Sequence, residues 1–254
     1  MNSILYVGMD VHTSNYTICT YAPEEDRVFA LVQVEPDHLN IVRYINRLKE
    51  HHGQGTRIVC GYEAGGLGYS LYRALKAYDV ECVILAPSTM PKAPNERKTD
   101  HRDAAKIARC LAYNMYRPVY VPDKQDEAVK EYIRMRDSTK DQIKRLKQQI
   151  AALCTRWHKV FNGTKKLWTI AHYKWLQRLQ FEDPIAQEAF DEYVIQLNEA
   201  NARLKRYDAK IEQWAELPRY AQKVSKLTCF CGIKTLVALA AIAEVSDFNR
   251  FPSL

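Results

Sequence analysis

The sequence predicts an N-terminal mixed α/β domain followed by long antiparallel helices, on three observations. Residues 4–34 hold three short runs rich in β-branched and aromatic side chains, joined by turn-forming residues. Residues 37–85 alternate helical and strand patterns and lead to a further helix from about Asp100. Residues 143–214 carry apolar side chains in three- and four-residue steps over several heptads.

The elements follow in order. Residues 4–10 are a short apolar run ending in Asp10, and Tyr16–Ala22 and 28–34 are the next two strands, with Pro23-Glu-Glu-Asp26 as the turn between them. Asp37 is a candidate N-cap for a helix carrying Val42, Ile45 and Leu48. Arg57–Glu63 is a strand that again ends in an acid. Gly65, Gly66 and Gly68 open a helix expected to run through Tyr78, and Cys82–Leu85 is a strand stopped by Pro87. A polar loop with Pro91 and Pro94 leads to a helix from about Asp100. Three hairpin-linked strands followed by alternating helix and strand imply a mixed sheet. That order is the layout of the ribonuclease-H-like fold.

Beyond it, Ile143, Leu146, Ile150, Leu153, Trp157 and Val160 form one apolar seam, and Phe190, Tyr193, Leu197, Ala200, Leu204, Tyr207, Ile211 and Trp214 form another. They predict an antiparallel coiled-coil arm that turns within 162–183, its second helix bracketed by Pro184 and Pro218. From Gly232 to Val245 a strongly apolar helix follows, too short a region to bury its own face without a partner or a continuation. The expected division is 1–122, 123–225 and 226–254.

Of 254 residues 47% are apolar, which suits a packed core, and no stretch reaches the ~18 apolar residues of a membrane helix. The N-terminus lacks a basic region and meets Asp10 too soon for a secretory leader. Seven scattered cysteines argue against a disulfide framework and for a reducing cytoplasm; Cys229-Phe-Cys231 lacks the second pair that a zinc site requires. The net charge of +7 suggests a polyanionic partner, and its distribution says more. Residues 130–178 hold thirteen Lys/Arg against three Asp/Glu, whereas 181–217 hold nine acidic and four basic residues. Pairing the two segments still leaves positive charge for nucleic acid.

Asp10, Glu63, Asp100 and Asp103 are the informative acids. The first two close strands that are neighbours in a ribonuclease-H-like sheet. The last two lie at i and i+3, on one face of a helix's first turn. Carboxylates converging at a sheet edge repel one another unless a cation sits between them, and oxygen ligands select Mg²⁺ or Mn²⁺. Two such ions would support phosphodiester cleavage. Plainer readings exist: Asp10 as a turn residue, Glu63 as a solvated strand end, and Asp100 as an N-cap with Asp103 at N3.

Val7-Gly-Met-Asp-Val-His12, Cys60-Gly-Tyr-Glu-Ala-Gly65 and Lys98-Thr-Asp-His-Arg-Asp-Ala-Ala-Lys106 together resemble the DEDD insertion-sequence transposases related to the Piv DNA invertase, whose N-terminal domain is similar to the Holliday-junction resolvase RuvC. The resemblance implies that Asp10, Glu63, Asp100 and Asp103 bind Mg²⁺ or Mn²⁺ for DNA strand cleavage and transfer. It further implies a homo-oligomer joined through the arm, a structured guide (bridge) RNA, and a nucleoid-associated, cytoplasmic location. Gly232-Ile-Lys234 stands where the family's second domain opens with Gly-Ile-Gly. That domain is expected to continue past the equivalent of Phe251 to a serine nucleophile, a role for which Ser253 comes too early. The first segment, extended to Asn15, also resembles the first phosphate loop of actin-like ATPases. Those need a second glycine-rich loop opening with Asp, whereas Gly65-Gly-Leu-Gly68 follows Glu63.

Basic residues complete the picture. Lys92, Arg97, Lys98, Arg102, Lys106 and Arg109 flank the helical acids as phosphate contacts, or as a solvated face. Lys159, Lys165, Lys166 and Lys174 interleave with Trp157, Trp168, His172, Tyr173 and Trp175, a mixture suited to unpaired bases. Two alternatives stand beside the transposase: a self-contained RuvC-like nuclease, and a nucleic-acid-binding fragment without catalysis.

Overall fold

The computed structural model of the chain describes residues 4–91, 99–163 and 166–251. It divides into two compact units, Met1–Val121 and Pro122–Leu254.

The first unit is built on a five-stranded mixed sheet. Strands β1 (Ile4–Val11), β2 (Tyr16–Ala22) and β3 (Arg27–Val34) are antiparallel neighbours, and β4 (Arg57–Glu63) and β5 (Cys82–Leu85) run parallel to β1, in the order β3-β2-β1-β4-β5. With the helices interleaved after β3, this is the ribonuclease-H-like arrangement the element order predicts. The order reverses between β1 and β4, and in open α/β sheets ligands bind beyond the strand ends at such a switch point.

One face of the sheet carries the main core. Leu5, Val7, Met9, Ile18, Ile58, Cys60 and Tyr62 pack there with Ile41, Ile45 and Leu48 of helix α1 (His38–His52) and Leu71 and Leu75 of α2 (Ser70–Lys76). Asp37 caps α1 as its sequence predicts, accepting from the Leu39 amide at 2.9 Å. Helix α2 begins later than the glycine run suggests, because Gly68 adopts a left-handed φ of 60° and closes a turn onto the Gly65 carbonyl. The other face is covered by α3 (Asp100–Ala112), through Ala104, Ile107, Ala108 and Leu111.

The second unit is helical: α4 (Lys124–Arg156), α5 (Ile170–Leu176), α6 (Pro184–Ala215), α7 (Pro218–Thr228) and α8 (Thr235–Val245). Asp123 and Asp183 cap the two long helices, each accepting from two backbone amides. Ile143, Leu146, Ile150 and Leu153 meet Phe190, Leu197 and Ala200 along the expected seam. The seam ends sooner than its spacing suggests. His158 takes a left-handed φ of 51° just beyond α4, and Val160 is left 68% exposed. The apolar helix α8 finds its partner on the same two helices: Ala238, Leu239, Ile242 and Ala243 are buried against Val129 and Ile133 of α4 and Ile211 and Ala215 of α6. Among the described residues no helix is long and apolar enough to cross a membrane.

Candidate metal centre

Two glycines let α3 lie directly on the sheet. A Cβ on Gly8 would stand 2.0 Å from the Ala104 carbonyl oxygen and 2.4 Å from the Ala108 nitrogen, and one on Gly61 would stand 2.8 Å from Leu85 and 2.9 Å from Leu111. Side chains at Gly61 have some room to yield, but the backbone above Gly8 has none. This contact sets the height of the α3 N-terminus over the ends of β1 and β4.

Alternation along the strands then decides which side chains meet it. Val7, Met9, Cys60 and Tyr62 belong to the α1/α2 core, while Gly8 and Gly61 face α3. Asp10 and Glu63 therefore continue the α3 face. The parallel register runs from Ile4 with Arg57 to Met9 with Tyr62, so its next step sets Asp10 beside Glu63. Thr17 pairs with Asp10 across β2 and shares this face. Its hydroxyl is buried with no hydrogen-bond partner among the described residues.

Helix α3 supplies the remaining acids. Its N-cap is Thr99, whose extended backbone lets the hydroxyl accept from the Arg102 amide, so Asp100 is the first helical residue and not the cap. The Asp100 carboxylate is thus spared from capping. Ligand atoms of Asp10, His12 and Asp100 all lie within 4.8 Å of one another, and His12 Nε2 is 3.2 Å from Asp10 Oδ2. Asp103 is close enough to act on Asp10 electrostatically. Glu63 sits at the same sheet edge with an exposed side chain, outside that cluster.

The electrostatics favour a cation. Burial pushes the Asp10 carboxyl above its ordinary range; His12 pulls it down, and the nearby charges of Asp103 and Asp100 push it up again. Half-buried carboxylates at this spacing, with an orphaned hydroxyl beside them, suit a small divalent ion with hard oxygen ligands. Neighbouring ligands on an octahedron with ~2.1 Å bonds lie ~3.0 Å apart, and opposite ones ~4.2 Å, so the 3.2 Å between His12 Nε2 and Asp10 Oδ2 matches neighbouring positions, while the 4.8 Å that bounds the trio is wider than either.

His12 is a member of this cluster that the pattern of acids does not point to. Its sequence signal is the i, i+2 spacing from Asp10 at a strand end, where the chain turns back and His12 N–H donates to the Asn15 carbonyl at 2.9 Å.

Of the basic residues, Arg102 and Arg109 are exposed on α3 and Lys106 is half-buried; the Arg109 guanidinium lies over the Tyr21 ring at 5.7 Å. Lys92, Arg97, Lys98 and Lys165 lie outside the described residues. In the second unit Lys166 and Lys174 are exposed, and Lys159 lies over the Phe181 ring at 5.6 Å. The aromatic residues expected to stack on bases pack largely on one another. Trp168 meets His172 edge-on at 5.0 Å, His172 stacks on Trp175 at 5.4 Å, and His172 itself is buried.

The family model for IS110-type DEDD transposases, described as a transposase, matches residues 7–158. The chain is 36% identical over 251 residues to the transposase for insertion sequence element IS1533 of Leptospira borgpetersenii, covering 98% of this chain and 72% of that protein. It is 32% identical over 250 residues to the putative transposase y4qE of Sinorhizobium fredii (strain NBRC 101917 / NGR234), covering 98% of this chain and 60% of that one. Among solved structures, T. thermophilus RuvC in complex with Holliday junction substrate aligns with 46% of this chain and 99% of its own, at a TM-score of 0.33 and 11% identity.

Proposed function

The chain belongs to the IS110-type DEDD transposase family, and from that premise we propose that it cleaves and transfers DNA strands at a divalent-cation site formed by Asp10, Glu63, Asp100 and Asp103. The convergence of Asp10 and Asp100, with Asp103 raising the Asp10 carboxyl, carries this reading. Mg²⁺ and Mn²⁺ are the ions that suit such ligands. When bound, they activate an attacking oxygen and stabilise the leaving oxygen of a phosphodiester.

The chain's own residues have separable parts. Asp10 and Glu63 hold from the strand ends, and Asp100 and Asp103 hold from the helix. Arg102 and Lys106 lie in the first and second turns of α3 and would seat DNA phosphates next to the acids. The helical region 123–225 serves as the arm for oligomerisation and for a structured guide RNA, supported by the basic bias of 130–178. Lys159, Lys166 and Lys174 are the described positions we assign to that contact; Lys92, Arg97, Lys98 and Lys165 are nucleic-acid contacts proposed from the sequence alone. Residues 226–254 form the opening of the family's second domain. A nucleoid-associated location follows from these partners.

Mn²⁺-dependent nicking of end-labelled branched DNA by the 254-residue chain tests the proposal. Asp10→Asn is expected to lower the rate by about a hundredfold or more. Nicking that persists unchanged in Asp10→Asn, or in excess chelator, would contradict it.

A further inference from the structure

We infer that His12 is a nitrogen ligand in this centre, biasing it toward first-row transition ions such as Mn²⁺ and Co²⁺ over Mg²⁺. The inference rests on the reading of Asp10 and Asp100 as cation ligands. It adds to that reading a residue outside the four acids and a consequence for which ion is held.

Geometry and chemistry carry it together. Nε2 of His12 is 3.2 Å from Asp10 Oδ2, close to the ~3.0 Å that separates neighbouring ligands around a six-coordinate ion of this size. The same ring belongs to the trio whose ligand atoms lie within 4.8 Å of one another, with Asp100 approaching from α3. The turn after β1 fixes its backbone, through His12 N–H to Asn15 O at 2.9 Å, and the side chain is 52% exposed, so an ion can reach it. An imidazole nitrogen is a softer donor than a carboxylate oxygen. It strengthens binding to transition ions, Co²⁺ more than Mn²⁺, and does little for Mg²⁺.

A second role makes a different prediction. If His12 only offset the charge of Asp10, an incoming cation would displace it. Removing it would then raise the affinity for every divalent ion alike.

The experiment is calorimetric titration of the full 254-residue chain with Mg²⁺, Mn²⁺ and Co²⁺, comparing wild type, His12→Ala, His12→Gln and Asp100→Asn. Pulsed EPR of bound Mn²⁺ would report nitrogen coordination directly. His12→Ala is expected to weaken Mn²⁺ by about tenfold and Co²⁺ by more, with Mg²⁺ changed by less than about twofold, and to remove a nitrogen coupling present in wild type. His12→Gln is expected to behave as His12→Ala, since an amide oxygen restores no nitrogen donor. Equal changes for all three ions, or no nitrogen coupling in wild type, overturn the inference while leaving the carboxylate site standing. Wild type that binds no ion, or binding that Asp100→Asn leaves intact, overturns the underlying cation site and the inference with it.

Discussion

Two acidic clusters in this chain are built in opposite ways. In the second unit, Asp126 is only 4% exposed, yet Tyr220 donates to it at 2.7 Å and Arg219 at 2.9 Å, and Arg219 also pairs with Asp123. Both acids there have a cationic donor, and the cluster ties the start of α4 to the start of α7. In the first unit, Asp10, Asp100 and Asp103 crowd one another, and the side chain that bonds Asp10 is a half-exposed histidine. The contrast separates structure from chemistry. Satisfied acids stabilise a joint, whereas crowded ones lower the stability of the fold unless a cation offsets their repulsion.

The largest expected effect lies in the support of the crowded cluster. Gly8→Ala drives a Cβ against the Ala104 and Ala108 backbone, so we expect the first unit to lose about 3 kcal/mol or more while the second is unchanged. Hydrogen exchange resolved by unit measures this; equal protection in mutant and wild type would break the account of how α3 is seated. Next, Arg219→Ala leaves Asp126 buried with one donor, at an expected cost of roughly 2 kcal/mol in the second unit by denaturant titration. Asp10→Asn acts in the reverse direction. It removes a charge from a crowded site and should raise the melting temperature of the metal-free chain by a few degrees while abolishing stabilisation by Mn²⁺.

The pH dependence sharpens the same comparison. At Asp123 burial pushes the carboxyl up, but Arg219 and two backbone amides pull it down further, to below its ordinary value of 3.8. A depressed acid contributes stability above its unfolded value and loses it as pH falls through the folded one, so the second unit weakens below about pH 4. Asp10 is raised, so its contribution is fully present below 3.8 and is lost as pH rises through its folded value. Metal-free, Asp10→Asn should therefore remove a contribution that falls as pH rises in the first unit, where Glu81, held down by Arg57, contributes the opposite slope, and Asp123→Asn should remove one that rises with pH in the second. Contributions of the same sign from Asp10 and Asp123 would contradict the contrast. The smallest effect is on binding: neutralising Lys166 or Lys174 should lower the slope of log affinity for RNA against log salt by about one for each phosphate no longer neutralised.

The fold is legible in the sequence where local chemistry decides it. Asp37 announces a cap, and Pro87 and the acids Asp10 and Glu63 mark the strand ends. The approach of Asp100 and Asp103 to Asp10 is legible as residue types at matching ends of elements, whereas Glu63, named with them, stays outside the cluster. What one dimension hides is the third: Thr99 takes the cap that Asp100 also suits, and this depends on the entry angle of the chain. His12 needs the turn at Asn15 to bring it back over Asp10. The arm's seam is shorter than its spacing implies, because Trp157 and Val160 continue the pattern past the point where the His158 backbone ends the helix.

The crowded carboxylates, with Glu63 beside them, are proposed to hold a divalent cation. Calorimetric titration of Mn²⁺ into the wild-type chain, Asp10→Ala and Glu63→Ala tests it most directly. Saturable binding to wild type that is lost in Asp10→Ala and in Glu63→Ala is expected; unchanged Mn²⁺ affinity in both variants would contradict a cation held by these acids.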